Sequence, residues 1–223
     1  MATVEEDVAP LVAGDKLTRD EFLQRWEAMP SVKRAELIRG VVYMPSPLSI
    51  IHGSRDNKLG TWIGVYAAYT PGCDAANNAT TFMLDDAPQP DVQLRILPEC
   101  GGQTRLEGLY VSGAPELAAE TCPSRTSYDL HQKFELYREA GVREYLAVLL
   151  REKEVRWHRL RERNYELLPV SPEGILRSEE FPGLWLHAPA LLAGDMAQVL
   201  ATLQQGIASP EHAAFVQRLR QRS

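Results

Sequence analysis

A strand–helix–strand pattern over residues 117–150 constrains the fold of this chain more than any other feature. Residues 117–121 form a short apolar segment whose one charged side chain is Glu120. Residues 128–140 follow with a helical apolar stripe, and Gly141 is placed to stop that helix. Residues 142–150 are strongly apolar and have the length of a strand. The pattern predicts a sheet with a helix packed on it, which is an α/β or α+β architecture.

The remaining segments extend this architecture in both directions. Residues 1–16 show no periodicity and are expected to form a flexible tail, whereas Thr18 and Glu21 match a helix capping box. Further elements are predicted at 35–44 (strand), 51–69 (helix), 72–84 and 91–97 (strands), 155–160 and 165–170 (strands), and 195–206 and 210–221 (helices). We divide the chain into the tail, one domain at 17–188 and a C-terminal helical extension at 189–223.

Length and composition narrow the class of protein. The chain has 223 residues, of which 44% are hydrophobic, so a sizeable core can form. No apolar run approaches the ~20 residues of a membrane-spanning helix. The N-terminal sequence MATVEEDVAP lacks the apolar segment of a signal peptide, so we expect a cytoplasmic protein. The formal net charge of -6 argues against a general DNA binder, although 151–163 is a basic stretch interleaved with glutamates.

Two acidic residues occur in segments with strand character. Glu120 is the polar exception in the apolar string LAAETC, and a carboxylate buried in a strand is costly unless it is paired or binds a cation. Asp91 begins the segment 91–97, where polar and apolar residues alternate as in a half-buried strand. If the two strands are neighbours, the carboxylates converge, and their repulsion raises a pKa or recruits a divalent metal. Oxygen ligands favour Mg²⁺ or Mn²⁺ over zinc.

A basic residue, Lys133, lies beside the apolar stripe of the predicted helix at 128–140. At 100° per residue, Leu130, Phe134 and Tyr137 share one face, and Lys133 flanks it. A lysine in this position can extend along the core and deliver its ammonium to Glu120. The alternative of a surface lysine at the edge of the stripe remains open.

Several strings together resemble a known family. The strings APQPDVQLRI, GAPELAAE and YDLHQKFELYREAGVREYLAV, preceded by AELIRGVVYMPSP and His52, are similar to the Uma-type restriction endonuclease family over roughly residues 18–188. That family is part of the PD-(D/E)XK nuclease superfamily. The resemblance implies a restriction-endonuclease-like core, with a mixed central β-sheet flanked by helices. It also implies metal ligation by Asp91 and Glu120, with Glu36 near the site.

The expected catalytic lysine departs from the general superfamily motif. The superfamily usually places it two residues after the second acid, where this chain has Cys122. The Uma-type pattern takes the lysine from the following helix, which corresponds to Lys133.

The resemblance and the acidic residues together lead to the expectation of a metal-dependent endonuclease. Asp91, Glu120, Lys133 and Glu36 would be catalytic, Mg²⁺ (or Mn²⁺) the cofactor, and nucleic acid, with DNA expected, the substrate. Candidate substrate contacts are His52, Arg125 and Tyr128. Two alternatives remain open: an inactive DNA-binding or protein-interaction module, and a hydrolase of a smaller phosphodiester. Apolar residues at 191–203 recur at helical spacing, and this face would either pack on the domain or form the surface of a homodimer.

Overall fold

The computed structural model describes residues 8–44, 50–124 and 128–222, without the side chains of 51, 52 and 128–130. The helices are α1 (Arg19–Glu27), α2 (Ile50–Ala68), α3 (Tyr128–Ala140), α4 (Ala188–Ala193), α5 (Met196–Ile207) and α6 (Pro210–Arg220). The strands are β1 (Glu36–Ile38), β2 (Val41–Tyr43), β3 (Cys73–Asn77), β4 (Thr81–Phe82), β5 (Val92–Ile96), β6 (Arg105–Glu107), β7 (Tyr110–Ser112), β8 (Leu117–Cys122), β9 (Glu144–Leu149), β10 (Glu154–Arg161), β11 (Asn164–Leu167), β12 (Ile175–Arg177) and β13 (Trp185–His187).

The central sheet has six strands in the order β11–β10–β9–β8–β5–β3. β8 and β9 run parallel, and the other neighbouring pairs are antiparallel. A parallel pair requires a crossover connection, and α3 provides it. The predicted α/β class, with a mixed central sheet flanked by helices, is confirmed.

The two faces of this sheet have different chemical character. On one face, α2 packs on β3, β5 and β8, and α5 packs on α2, enclosing apolar side chains that include Leu94, Leu146 and Trp157. The other face is covered by α3 and the β1–β2 hairpin, and it carries polar side chains among its apolar ones. Both faces of β5 are therefore buried, with Gln93 at 0% and Arg95 at 8% exposure. The prediction of a half-buried strand was wrong because segments distant in sequence also contact the polar face, among them β4, whose Thr81 hydroxyl donates to Gln93.

Residues 35–44, predicted as one strand, form the β1–β2 hairpin. Arg39 and Gly40 adopt φ angles of 55° and 69° and reverse the chain. Their backbone N–H groups both donate to the carboxylate of Asp86, each at 2.9 Å. The prediction of a single strand at 35–44 was therefore wrong, because the chain turns at Arg39 and Gly40. The reversal leaves Glu36 on a short strand that contacts α3.

The capping box that the sequence predicted at the start of α1 is present. The backbone N–H of Thr18 donates to Glu21, and the backbone N–H of Glu21 donates to the Thr18 hydroxyl. Just upstream, Leu11 is 4% exposed, and the N–H of Gly14 donates to the carbonyl of Val42 at 2.8 Å. These contacts place residues 11–16 against the domain, in contrast to the flexible tail expected at 1–16. The domain boundaries themselves remain predictions.

The C-terminal helices complete the apolar core on the α2 side of the sheet. Val199, Leu203 and Phe215 are buried in the same cluster as Trp62 of α2. The apolar spacing at 191–203 is thus used for packing within the chain. Ser209 caps α6, the helix predicted at 210–221, by accepting a hydrogen bond from the N–H of His212. No helix among the described residues combines the length and apolar character needed to cross a membrane.

Candidate active site

Asp91 and Glu120 lie side by side because their strands are neighbours. β5 and β8 pair antiparallel with Val92 opposite Ala119, so the next outward pair is Asp91 and Glu120. The Oδ2 atom of Asp91 accepts a hydrogen bond from the N–H of Thr121 at 2.7 Å, which ties the two strand ends together. Directly opposite residues have Cβ atoms ~4.5–5.5 Å apart. The strand register thus brings the two predicted carboxylates to one place on the α3 side of the sheet.

Lys133 extends from α3 toward the carboxylate of Glu120. Its Nζ atom lies 3.0 Å from Oε1 and 3.2 Å from Oε2 of Glu120, and 3.3 Å from the carbonyl oxygen of Gln89. Lys133 is 5% exposed, as is Glu120. This geometry agrees with the expectation that the ammonium reaches Glu120. It does not agree with the alternative, in which Lys133 is a surface lysine.

Glu36 is the third carboxylate of the cluster. Its Oε1 atom lies 2.9 Å from Nζ of Lys133 and accepts a hydrogen bond from the N–H of Gln89 at 2.6 Å. Gln89 thus contacts Lys133 through its carbonyl and Glu36 through its N–H, although its side chain takes no part in either contact. The β1–β2 hairpin, the segment before β5, β8 and α3 together assemble the site.

The sequence reasoning missed one polar contact, that of Tyr137. It was expected only as part of the apolar stripe of α3, and its ring is indeed fully buried. Its hydroxyl, however, donates to Oε1 of Glu120 at 2.6 Å. The signal was the spacing of four residues between Lys133 and Tyr137, which places both side chains on the same face of a helix.

Burial and charge shift the pKa values of this cluster. Burial raises the pKa of Glu120 to about 8; the charges of Asp91 and Glu36 add to the rise, while Lys133 and the Tyr137 hydroxyl oppose it. Burial lowers the pKa of Lys133, but the carboxylates of Glu120, Glu36 and Asp91 more than offset this, so its pKa lies well above the ordinary value. Burial also raises the pKa of Tyr137 well above its ordinary value. The ammonium is therefore charged, and the phenol is a neutral donor.

The donor set suits a hard divalent cation. Three carboxyl groups face one ammonium, and oxygen ligands are those that Mg²⁺ and Mn²⁺ prefer. Among the described residues, no group of three or more His, Cys, Asp or Glu side chains is arranged to hold an ion, because the ammonium of Lys133 lies between Glu36 and Glu120. The pair formed by Asp91 and Glu120, on facing strand positions, is the part of the cluster that fits a metal.

The side chains of the three predicted substrate-binding residues lie outside the part of the chain that the structure describes. Arg125 lies outside the described residues, and so do the side chains of His52 and Tyr128. Their roles remain predictions. The geometry brings together Glu36, Asp91, Glu120 and Lys133, and adds Tyr137.

Comparison with known proteins gives a family and a fold. The model of the family Uma2, described as "Putative restriction endonuclease", matches residues 19–190, which contain all of these side chains. The structure is similar to a crystal structure from Anabaena variabilis, described as "a putative nuclease belonging to DUF820". The TM-score is 0.57 at 16% identity, covering 84% of this chain and 99% of that one, so the likeness shows the fold. No curated protein matches the chain significantly.

Proposed function

This chain belongs to the Uma2 family of restriction-endonuclease-like proteins, and from that premise we propose that it is a divalent-metal-dependent endonuclease that hydrolyses the phosphodiester bonds of DNA. The family and the fold support a nuclease. The observation that carries the finer proposal is the buried ammonium of Lys133, 3.0 Å from a carboxylate whose strand neighbour is Asp91. Buried charge clusters of this kind are concentrated at functional sites.

Asp91 and Glu120 would hold the cation, with Mg²⁺ as the natural ion and Mn²⁺ as a substitute. When bound, such an ion polarises the phosphoryl oxygen and lowers the pKa of a bound water. The register of β5 and β8 fixes the separation of the two carboxylates, and the hydrogen bond from the Thr121 N–H orients that of Asp91. Backbone structure thus orients the carboxylate of Asp91 and sets the strand position from which Glu120 extends.

Lys133 would stabilise the charge that develops on the attacked phosphate. A preorganised cation in a site that excludes water is effective because it needs no reorganisation during the reaction. Glu36 and the carbonyl of Gln89 also contact the ammonium, at 2.9 and 3.3 Å. We assign Glu36 the role of anchoring Lys133, in addition to any contact with the metal shell.

One observation favours an alternative substrate. The formal net charge of -6 opposes binding to a long polyanion, which would suit a smaller phosphodiester better. An inactive binding module on the same fold is less well supported, because the ion pair of Lys133 and Glu120 is buried, and removing two charges from water is costly.

The test is cleavage of supercoiled plasmid DNA with Mg²⁺, with Mn²⁺ and with excess EDTA. We expect nicking or linearisation that EDTA abolishes and that Asp91→Asn removes, since asparagine keeps an acceptor for the Thr121 N–H but loses the charge. Glu107→Gln, at an exposed strand position, is the matched control and should retain full activity. A phosphodiester of a single nucleotide serves as the competing substrate. Cleavage of that compound alone would replace DNA as the substrate, and cleavage unaffected by EDTA would overturn the metal dependence.

A further inference from the structure

Tyr137 has an unusual hydrogen-bond acceptor for a tyrosine in an apolar cluster. Its ring packs 5.6 Å from that of Tyr145, centroid to centroid, among the buried side chains of the α3 side. Two other buried or largely buried tyrosines, Tyr66 and Tyr165, donate to backbone carbonyls, those of Pro182 and Val142, both at 2.9 Å. Tyr137 instead donates to the carboxylate of Glu120.

The two oxygens of Glu120 are held unequally. Oε1 accepts from Tyr137 at 2.6 Å and from Lys133 at 3.0 Å, whereas Oε2 has the single longer contact with Lys133, at 3.2 Å. An ionised carboxylate has no proton to donate, so the phenol is the donor in this hydrogen bond. Oε1 is therefore the anchored oxygen, and Oε2 has the greater remaining capacity to bind a cation.

We propose that Tyr137 is a positioning residue, which fixes Oε1 of Glu120 and so directs Oε2 toward the divalent cation that Asp91 shares. The proposal rests on the function proposed above and extends it from the ligands to the side chain that orients one of them. Groups that hydrogen-bond to a metal-ligating carboxylate set its orientation and tune its affinity for the ion. The packing of the Tyr137 ring keeps the hydroxyl in place, since a fully buried ring cannot swing away.

The test compares Tyr137→Phe with Tyr66→Phe. Both tyrosines are fully buried, and each substitution removes one hydroxyl and one hydrogen bond, but Tyr66 lies on the α2 side of the sheet. Both variants should lose a similar ~2–4 °C in melting temperature. Titration calorimetry with MnCl₂ should show an affinity about 10–100-fold weaker for Tyr137→Phe and unchanged for Tyr66→Phe.

Kinetics give a second, separate readout. In the plasmid assay at saturating Mn²⁺, Tyr137→Phe should lower kcat and leave KM for DNA unchanged, because the tyrosine acts through Glu120 and not through the substrate. Equal Mn²⁺ affinity in Tyr137→Phe and the wild type would overturn the proposal. If the wild type binds Mn²⁺ but cleaves nothing, the affinity difference still supports the role of Tyr137, and only the nuclease proposal fails. A wild type that binds no Mn²⁺ overturns both.

Discussion

Glu120 and Glu144 are both buried glutamates of the central sheet, and burial raises the pKa of both, to about 8 and about 7. Their hydrogen-bond partners differ in kind. Glu144 accepts from the backbone N–H groups of Glu179 and Glu180, the Ser178 hydroxyl and the Trp157 indole, all neutral donors. Glu120 accepts from an ammonium and a phenol and faces two more carboxyl groups. A raised pKa therefore does not identify the site by itself; the nature of the partners does.

The two sets of partners have different effects: neutral donors satisfy the hydrogen bonds of a carboxylate, whereas charged groups also change the net charge around it. The four donors around Glu144 come from the chain between β12 and β13 and from β10, so this carboxylate joins a loop to the sheet. Its hydrogen-bonding capacity is used within the protein. Around Glu120, the charges of Asp91 and Glu36 oppose its ionisation, and carboxylates brought together in this way can recruit a divalent cation. The comparison can be tested by removing a partner at each glutamate.

The largest effect is expected from Lys133→Met. This change leaves the buried Glu120 without the ammonium beside it, and breaking one partner of a buried ion pair costs about 3–5 kcal/mol of unfolding free energy. Plasmid turnover should also fall by about 10²–10³-fold, as on loss of a charge-stabilising donor. Urea denaturation and plasmid cleavage measure the two quantities. Lys33→Met, at an exposed lysine, should change neither. Full turnover in Lys133→Met would remove this lysine from the chemistry.

An intermediate effect, on stability alone, is expected from Glu144→Gln. The amide replaces one accepting oxygen with an N–H₂ group that faces other donors, leaving buried donors unsatisfied at about 1–3 kcal/mol. Turnover measured below the unfolding transition should stay within about twofold of the wild type, since surface and structural positions away from the site act through stability. A loss of turnover like that of Lys133→Met would break the comparison, because it would place Glu144 in the chemistry as well.

The same variant predicts a pH dependence of stability. Because the folded pKa of Glu144 is raised from 4.5 to about 7, the folded state binds the proton more tightly than the unfolded state. Wild-type stability should therefore fall relative to Glu144→Gln as pH rises from ~5 to ~8, by up to about 3 kcal/mol at 1.36 kcal/mol per pKa unit. Urea midpoints of both proteins across this range provide the measurement, and the titration of Glu120 cancels between them. A constant difference would show that Glu144 keeps an ordinary pKa.

The smallest effect is expected from Glu139→Gln, which removes an exposed ion pair from the same helix that carries Lys133. Glu139 lies 2.7 Å from Arg39, with side-chain exposures of 41% and 36%. Exposed pairs contribute about 0–1 kcal/mol, so the urea midpoint should barely move and turnover should not change. A stability loss as large as that of Lys133→Met would mean that burial does not explain the difference in stability contribution between the two ion pairs.

Local patterns predicted much of the secondary structure. The capping box at Thr18 and the helices over most of 51–69 and 210–221 follow from short-range rules, and the structure confirms them. The errors arose where distant segments decide the outcome. The polar face of β5 is buried because segments distant in sequence, such as β4, contact it, and the alternation of polar and apolar residues within β5 does not predict such contacts.

The candidate site likewise has features that the sequence predicted and features that only the structure reveals. The polar exception at Glu120 and the position of Lys133 beside an apolar stripe were visible in the sequence, and the family resemblance added Glu36. The contacts made by Gln89 use its backbone groups, which no side-chain pattern reports. Tyr137 has a residue type that fits a core, so only the position of Glu120 opposite its hydroxyl reveals its second role.

The location of the lysine on α3 also sets the order in which the site can form during synthesis. Domains generally fold as their N-terminal segments leave the ribosome. β1 and β5 emerge before β8, and the ammonium arrives only after the crossover helix has been made and has docked on the sheet. Until then, Glu36 and Glu120 have no common cation. A shortened or half-made chain that ends before α3 would thus lack the lysine of the proposed site.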